Sequence, residues 1–202
     1  APAHPEYSRG HSLAHQGMRS GELYEAVMAR ASACGLSADC VNLMYDDAPG
    51  FGADFGYDRY PLIRDHLTGS DDGQPVAPLL GSIRDYDGGA TDLQVGPVLF
   101  GLMYCDYVVL YRFTPLAIDR ADCDITWLVR GDAEEGKDYD RDRLTWLWDV
   151  TTHADKAIIE RNQQGVNSRY YVPGPLSAME NYTWKFLSWY LQTLQGKLRA
   201  VA

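Results

Sequence analysis

Apolar and polar positions change rhythm several times along the chain. Between Gly21 and Ala33, Leu23, Val27 and Ala31 recur at i, i+4 and i+8. That spacing predicts an amphipathic helix stopped by Gly35. Residues 45–92 then lose any period and become dense in Gly, Pro and Asp, with short apolar pieces such as Pro78 to Ile83. They read as a long irregular stretch with short strands. Next come Val98 to Met103, Tyr107 to Phe113 and Asp124 to Arg130, all rich in β-branched and aromatic residues, the last two separated by a turn-like Asp119 to Asp122. Three consecutive antiparallel strands are expected. Asp140 can cap a helix in which Leu144, Leu147 and Trp148 share a face, and helical pattern resumes from Ala154 to Gln164 before Gly165. Ser177 to Glu180 forms a capping box just after Pro173 and Pro175. It leads a last helix with Phe186, Tyr190 and Leu194 on one side and Gly196 beyond. Short strands followed by terminal helices make the fold class α+β, with helices on one face of a curved antiparallel sheet. No internal repeat is visible.

Length and composition narrow the function. A chain of 202 residues fits one domain with a single core. Its 46% apolar content, 14 Tyr and 5 Trp exclude disordered and fibrous classes. Eighteen basic residues face 28 acidic ones, and a net charge of -10 argues against a partner bound through nucleic-acid phosphates. No apolar run reaches membrane-spanning length and no signal-peptide pattern opens the chain, so no membrane is expected and the location reads as cytoplasmic. Cys34, Cys40, Cys105 and Cys123 lack the close spacing of zinc or iron–sulfur ligands and are expected to be reduced, mostly buried thiols. The chain opens at Ala1 without an initiator Met, so it is expected to be processed, excised or cut from something longer.

Dinucleotide, P-loop, nucleophile-elbow and zincin motifs are all missing. What remains are His4, His11, His15, His66 and His153, together with Asp106 and Asp155 in otherwise helical or apolar pattern. Asp106, inside Met103 to Val109, reads as structural at a bend. His153, two helical residues from Asp155, points off that residue's face. On a helix, Asp155 shares a face with Ile158, Ile159 and Asn162, which puts a carboxylate on an apolar face where a metal is one option for its partner.

Two segments carry a family likeness: the opening Ala1 to Arg9, with its His4-Pro5-Glu6, and Asp149 to Ser168, followed by Tyr170-Tyr171-Val172-Pro173-Gly174-Pro175. They resemble the catalytic domain of Rieske-type non-haem iron oxygenases. The resemblance covers essentially the whole chain and is strongest over residues 98–190. It implies one catalytic domain over 1–202, incomplete at its N-terminus and without its Rieske domain. In that family a mononuclear Fe(II) is held by two histidines and a carboxylate, a facial triad that leaves metal positions open. His4 stands where the second histidine of an acidic-x-x-His-x4-His pattern belongs, and Asp155 stands where the carboxylate does. The first histidine would precede Ala1. No catalytic residue beyond these ligands is assigned.

Helix phase makes Asn162 and Gln163 the expected partners behind the ligands. The aromatics Tyr104, Tyr107, Tyr111, Phe113 and Trp127 read mainly as core; Tyr104, Tyr107, Phe113 and Trp127 are the candidates to line a substrate pocket. The resemblance further implies a [2Fe-2S] Rieske cluster in the absent part, NAD(P)H electrons through a reductase or ferredoxin partner, and a homotrimer of the full-length subunit. The product would be a hydroxylated or oxidatively N-demethylated small molecule. Residues of the opening, the Arg130 strand end and the Asp149 to Ser168 segment look more like the branch acting on quaternary amines such as glycine betaine, choline or carnitine than the naphthalene or biphenyl branch, with an aromatic acid as the alternative substrate. A permanent cation suits an aromatic cage. The fold implied is helix-grip (START/SRPBCC-like), a curved antiparallel sheet with a long C-terminal helix, and the competing expectation uses the same fold as a non-catalytic module that binds an apolar ligand without metal. The two part on whether His4 and Asp155 converge to within about 4 Å, beside a cavity.

Overall fold

The computed structural model describes residues 4–11, 21–42 and 55–201; Ala1 to Ala3, His15 and the 45–54 part of the irregular stretch lie outside the described residues. Six strands, β1 (Cys40–Asn42), β2 (Phe55–Pro61), β3 (Gly89–Val95), β4 (Leu99–Met103), β5 (Val108–Ala117) and β6 (Arg120–Leu128), form one antiparallel sheet in chain order. The three strands expected between residues 98 and 130 are β4, β5 and β6. One boundary differs: Arg120 to Asp122 belong to β6 rather than to the turn, and Asp122 pairs with Thr114. Opposite charges on the paired residues Arg112 and Asp124, 2.7 Å apart, favour that register.

Four helices accompany the sheet: α1 (Pro5–Gly10), α2 (Glu22–Cys34), α3 (Arg141–Val166) and α4 (Asn181–Val201). α2 ends as expected at Gly35, whose left-handed φ of 85° lets its N–H return to the Ala31 carbonyl. Asp140 caps α3 by accepting from the Arg143 N–H at 2.9 Å. α3 then continues through Gly165 without a break. Leu144, Leu147, Trp148 and Thr151 on its first half are buried, the first three against Tyr60, Ala90, Tyr104, Tyr107 and Val109. Each large apolar side chain so buried contributes about 1.5–3 kcal/mol. Before α4, the Ser177 N–H donates to Glu180 Oε2 at 2.6 Å, as the capping-box pattern requires. α4 runs past Gly196, and Trp184 and Leu191 on it are more than half exposed. The α+β class stands: α3 packs its large residues on the sheet's aromatic face, and α2 packs against β2.

Residues 62–88 are irregular yet partly buried, because side chains supply the hydrogen bonds that a ladder would otherwise provide. Arg59 of β2 is buried and donates to both carboxylate oxygens of Asp87 at 2.6 Å and to Thr91 Oγ1 at 2.8 Å. Asp106 is also buried, as its structural reading required, and accepts from Thr68 Oγ1 at 2.5 Å and from the Val76 N–H at 3.0 Å. Burial holds its carboxyl above the usual carboxylate range. Burial likewise pushes the Cys105 thiol up to about 12, with the Asp87 charge adding to the shift. All four cysteines are free, but only Cys34 and Cys105 are buried; Cys40 and Cys123 are exposed, at odds with the expectation of mostly buried thiols. Cys123 lies in the first half of β6, an edge strand whose first five residues are all exposed. Among the described residues no helix is long and apolar enough to cross a membrane.

Candidate metal centre

α1 is only six residues long, and a helix that short has no stability of its own. Pro5 at its first position has the right φ in advance, but packing holds the element in place. Gly10 makes this possible: a Cβ there would meet the Ser70 carbonyl oxygen at 2.8 Å and Leu147 Cδ1 at 3.0 Å, so only glycine lets α1 sit this close to α3. Arg9 pairs with Asp71 and lies over the Trp146 ring.

His11, just past the end of α1, is fully buried. Its Nε2 lies 2.7 Å from the Tyr60 hydroxyl and its Nδ1 2.7 Å from the Tyr104 hydroxyl. Tyr60 donates to Asp92 Oδ1 at 2.9 Å, so its oxygen accepts from His11 Nε2–H. Nδ1 then accepts from Tyr104, whose oxygen in turn accepts from the Trp148 indole N–H at 3.2 Å. His11 thus ties α1 to the sheet and to α3.

At the other end of α1, His4 is brought to Asp155. His4 Nε2 lies 3.2 Å from Asp155 Oδ1, and Nδ1 lies 3.1 Å from Glu6 Oε1. With metal–ligand bonds of about 2.1 Å, two cis ligands sit about 3 Å apart, so this imidazole and carboxylate fit adjacent positions on one ion. They are donors of the kind a two-histidine, one-carboxylate iron site uses. Among the described residues no group of three His, Cys, Asp or Glu side chains is gathered for a metal.

Several expected details differ. Asp155 is 52% exposed, and Ile158 and Ile159 beside it are exposed too, so the carboxylate is not set in a buried apolar face. Thr151 is the last buried residue of α3. Asn162 and Gln163 lie seven and eight residues past Asp155, roughly 10–12 Å along the axis. Gln163 donates instead to Asn167 at 3.0 Å. His153 is 75% exposed and bonds the Asp149 carbonyl at 2.8 Å, in line with its structural reading. Tyr104 and Tyr107 are core residues: both are buried and stacked, with hydroxyls bonded to His11 and to the Gly69 carbonyl. Phe113 packs edge-on against Phe100. Trp127 keeps a buried indole N–H without a hydrogen-bond partner among the described residues.

Sequence reasoning missed Glu6. It is 8% exposed and is the partner of His4, a role that shows only once its burial is known. It also missed a cleft of about 380 Å³ over β1 to β4, lined by Asp58, Asp92, Gln94, Phe100 and Tyr182 among others. The cleft wall includes neither His4 nor Asp155. Asp58 and Asp92 face each other across β2 and β3, and Asp92 is the acceptor that ends the Tyr60–His11 chain.

Comparison with known proteins places the chain in a family. Residues 54–196 match the family of the ring hydroxylating alpha subunit, catalytic domain. The chain is 34% identical over 146 residues to a glycine betaine monooxygenase oxygenase subunit of Chromohalobacter salexigens, covering 71% of this chain and 33% of that protein. It is 31% identical over 176 residues to the protein of the same name from Pseudomonas aeruginosa, covering 86% and 41%. The chain therefore spans only about a third to two-fifths of the length of these curated relatives. The match runs through β2 to β6, α3 and most of α4, and α3 carries Asp155. The chain belongs to the ring-hydroxylating oxygenase alpha-subunit family, of which it carries the catalytic domain.

Proposed function

We propose that this chain is the oxygenase domain of a terminal oxygenase, with His4 Nε2 and Asp155 Oδ1 as two of three protein ligands to a mononuclear Fe(II), the third being a histidine upstream of Ala1. The observation that carries the reading is the 3.2 Å approach of those two atoms from residues far apart in the sequence. Bound there, iron supplies O2 activation, with electrons from a Rieske [2Fe-2S] cluster fed by NAD(P)H through a reductase or ferredoxin. Asp155 supplies the negative charge and His4 the neutral nitrogen lone pair. The full-length subunit is read as a cytoplasmic homotrimer on a helix-grip scaffold.

The substrate class proposed is a quaternary ammonium compound, hydroxylated at an N-methyl group with release of formaldehyde. Both relatives are named for glycine betaine, and a quaternary ammonium group is a permanent cation of the kind aromatic rings can hold.

The test is Asp155→Ala in the full-length subunit, assayed for formaldehyde from glycine betaine and for iron content. Substrate oxidation and mononuclear iron should both be lost while the Rieske visible absorption stays intact. His153→Ala should match the wild type in both. Retained activity in Asp155→Ala sinks the assignment. The half exposure of Asp155 favours the metal-free helix-grip module as second reading. A full-length subunit that holds no mononuclear iron but still binds an apolar ligand would move the conclusion there.

A further inference from the structure

We infer that Glu6 is the positioning residue of His4, the group that aims Nε2 at the metal; this rests on the iron reading above. A neutral imidazole offers a lone pair on one nitrogen only, and the proton on the other decides which. For Nε2 to ligate, the proton must sit on Nδ1. Glu6 Oε1 lies 3.1 Å from Nδ1, in position to accept that proton's hydrogen bond. The Glu6 carboxylate is 8% exposed, whereas His4 is 22% exposed and Asp155 52% exposed. Of the two carboxylates that touch the ring, the buried one faces the nitrogen that does not ligate, and the exposed one faces the nitrogen that does.

A buried carboxylate needs a donor, and here the donor is the ring it orients. Pro5 stands between the two residues and fixes its own φ near −65°. The spacing from His4 to Glu6 is therefore restrained locally, while packing of α1 holds both residues in place. An acid in the first turn also favours a helix N-terminus on its own account. That purely structural role would be indifferent to the metal, which is how the two are told apart.

The experiment compares Glu6→Ala, Glu6→Gln and Asp155→Ala in the full-length subunit. Fe(II) affinity is measured by chelator competition, and the EPR spectrum of the nitric oxide adduct reports the ligand field. Glu6→Ala should weaken Fe(II) binding roughly 10–100-fold, the range for loss of a carboxylate behind a ligating histidine, and should alter the EPR spectrum. Glu6→Gln should recover part of the affinity, because its amide oxygen still accepts from Nδ1–H. Wild-type affinity in Glu6→Ala overturns the inference, and so does a Gln variant no better than Ala. Should circular dichroism show that Glu6→Ala does not fold, Glu6→Met, which keeps the side-chain length but removes the acceptor, decides instead: wild-type affinity and spectrum overturn the inference, and a loss with an altered spectrum supports it. Iron lost in Asp155→Ala but unchanged in Glu6→Ala leaves the iron reading standing without this one. Iron retained in Asp155→Ala removes both.

Discussion

The two halves of α3 do opposite things with the same backbone. From Leu144 to Thr151 the helix turns large side chains into an aromatic core, and Trp148 at 6% exposed donates to Tyr104 within it. From His153 onward the side chains stand largely in solvent, and Asp155 meets His4 there. The buried half determines where the helix lies. The exposed half uses that placement to present a carboxylate at the rim, one turn beyond the last buried residue. The proposed metal ligand and the residues that stabilise the fold are therefore different parts of one element.

That division can be broken by mutation, and the largest effect should come from the buried half. Trp148→Ala should cost about 3–5 kcal/mol in urea unfolding, as a buried large aromatic does when truncated. A loss below 1 kcal/mol would mean that α3 is not anchored there. Next comes His11→Ala, which strips the Tyr104 hydroxyl of its acceptor; about 1–3 kcal/mol should be lost beyond packing, read from the same unfolding curves. Asp72→Asn tests the start of α3 through pH. The Gln74 backbone N–H, and then Arg143, hold the Asp72 carboxyl below the usual carboxylate range. Its contribution is therefore present above the unfolded-state pKa and is lost as pH falls through the folded-state one. Both partners are about half exposed, so the variant should lose under about 1 kcal/mol at neutral pH, and the difference should vanish in acid. Smallest of all, Asp155→Ala should change stability by no more than about 0.5 kcal/mol in the absence of iron. A large loss there would erase the contrast between the two halves.

Local pattern made β4 to β6, α2, the Asp140 cap and the Ser177 capping box legible, because each depends on neighbours within a few residues. The segment 62–88 was legible only as irregular. What holds it, Arg59 against Asp87 and Asp106 against Thr68 and Val76, joins residues far apart in sequence through buried charge, and no periodicity records that. His4 and Asp155 were named through family likeness rather than spacing, and their approach is a property of the fold. Asn162 and Gln163 followed from helix phase alone, which ignores how far along the axis a residue sits. Glu6 escaped notice because an acid after a proline in a first turn is ordinary until its burial is known.

The chain-order sheet has a kinetic side. β3 to β6 are joined by short connections, so each pairing closes a small loop before the next begins, whereas β2 reaches β3 only after residues 62–88. Closure entropy grows with the logarithm of loop length, about 0.6 kcal/mol for each doubling, and non-local pairings form slowest. The meander from β3 to β6 is thus the cheapest place for the chain to nucleate. β2, together with the Arg59–Asp87 clasp that closes over residues 62–88, completes the sheet afterwards.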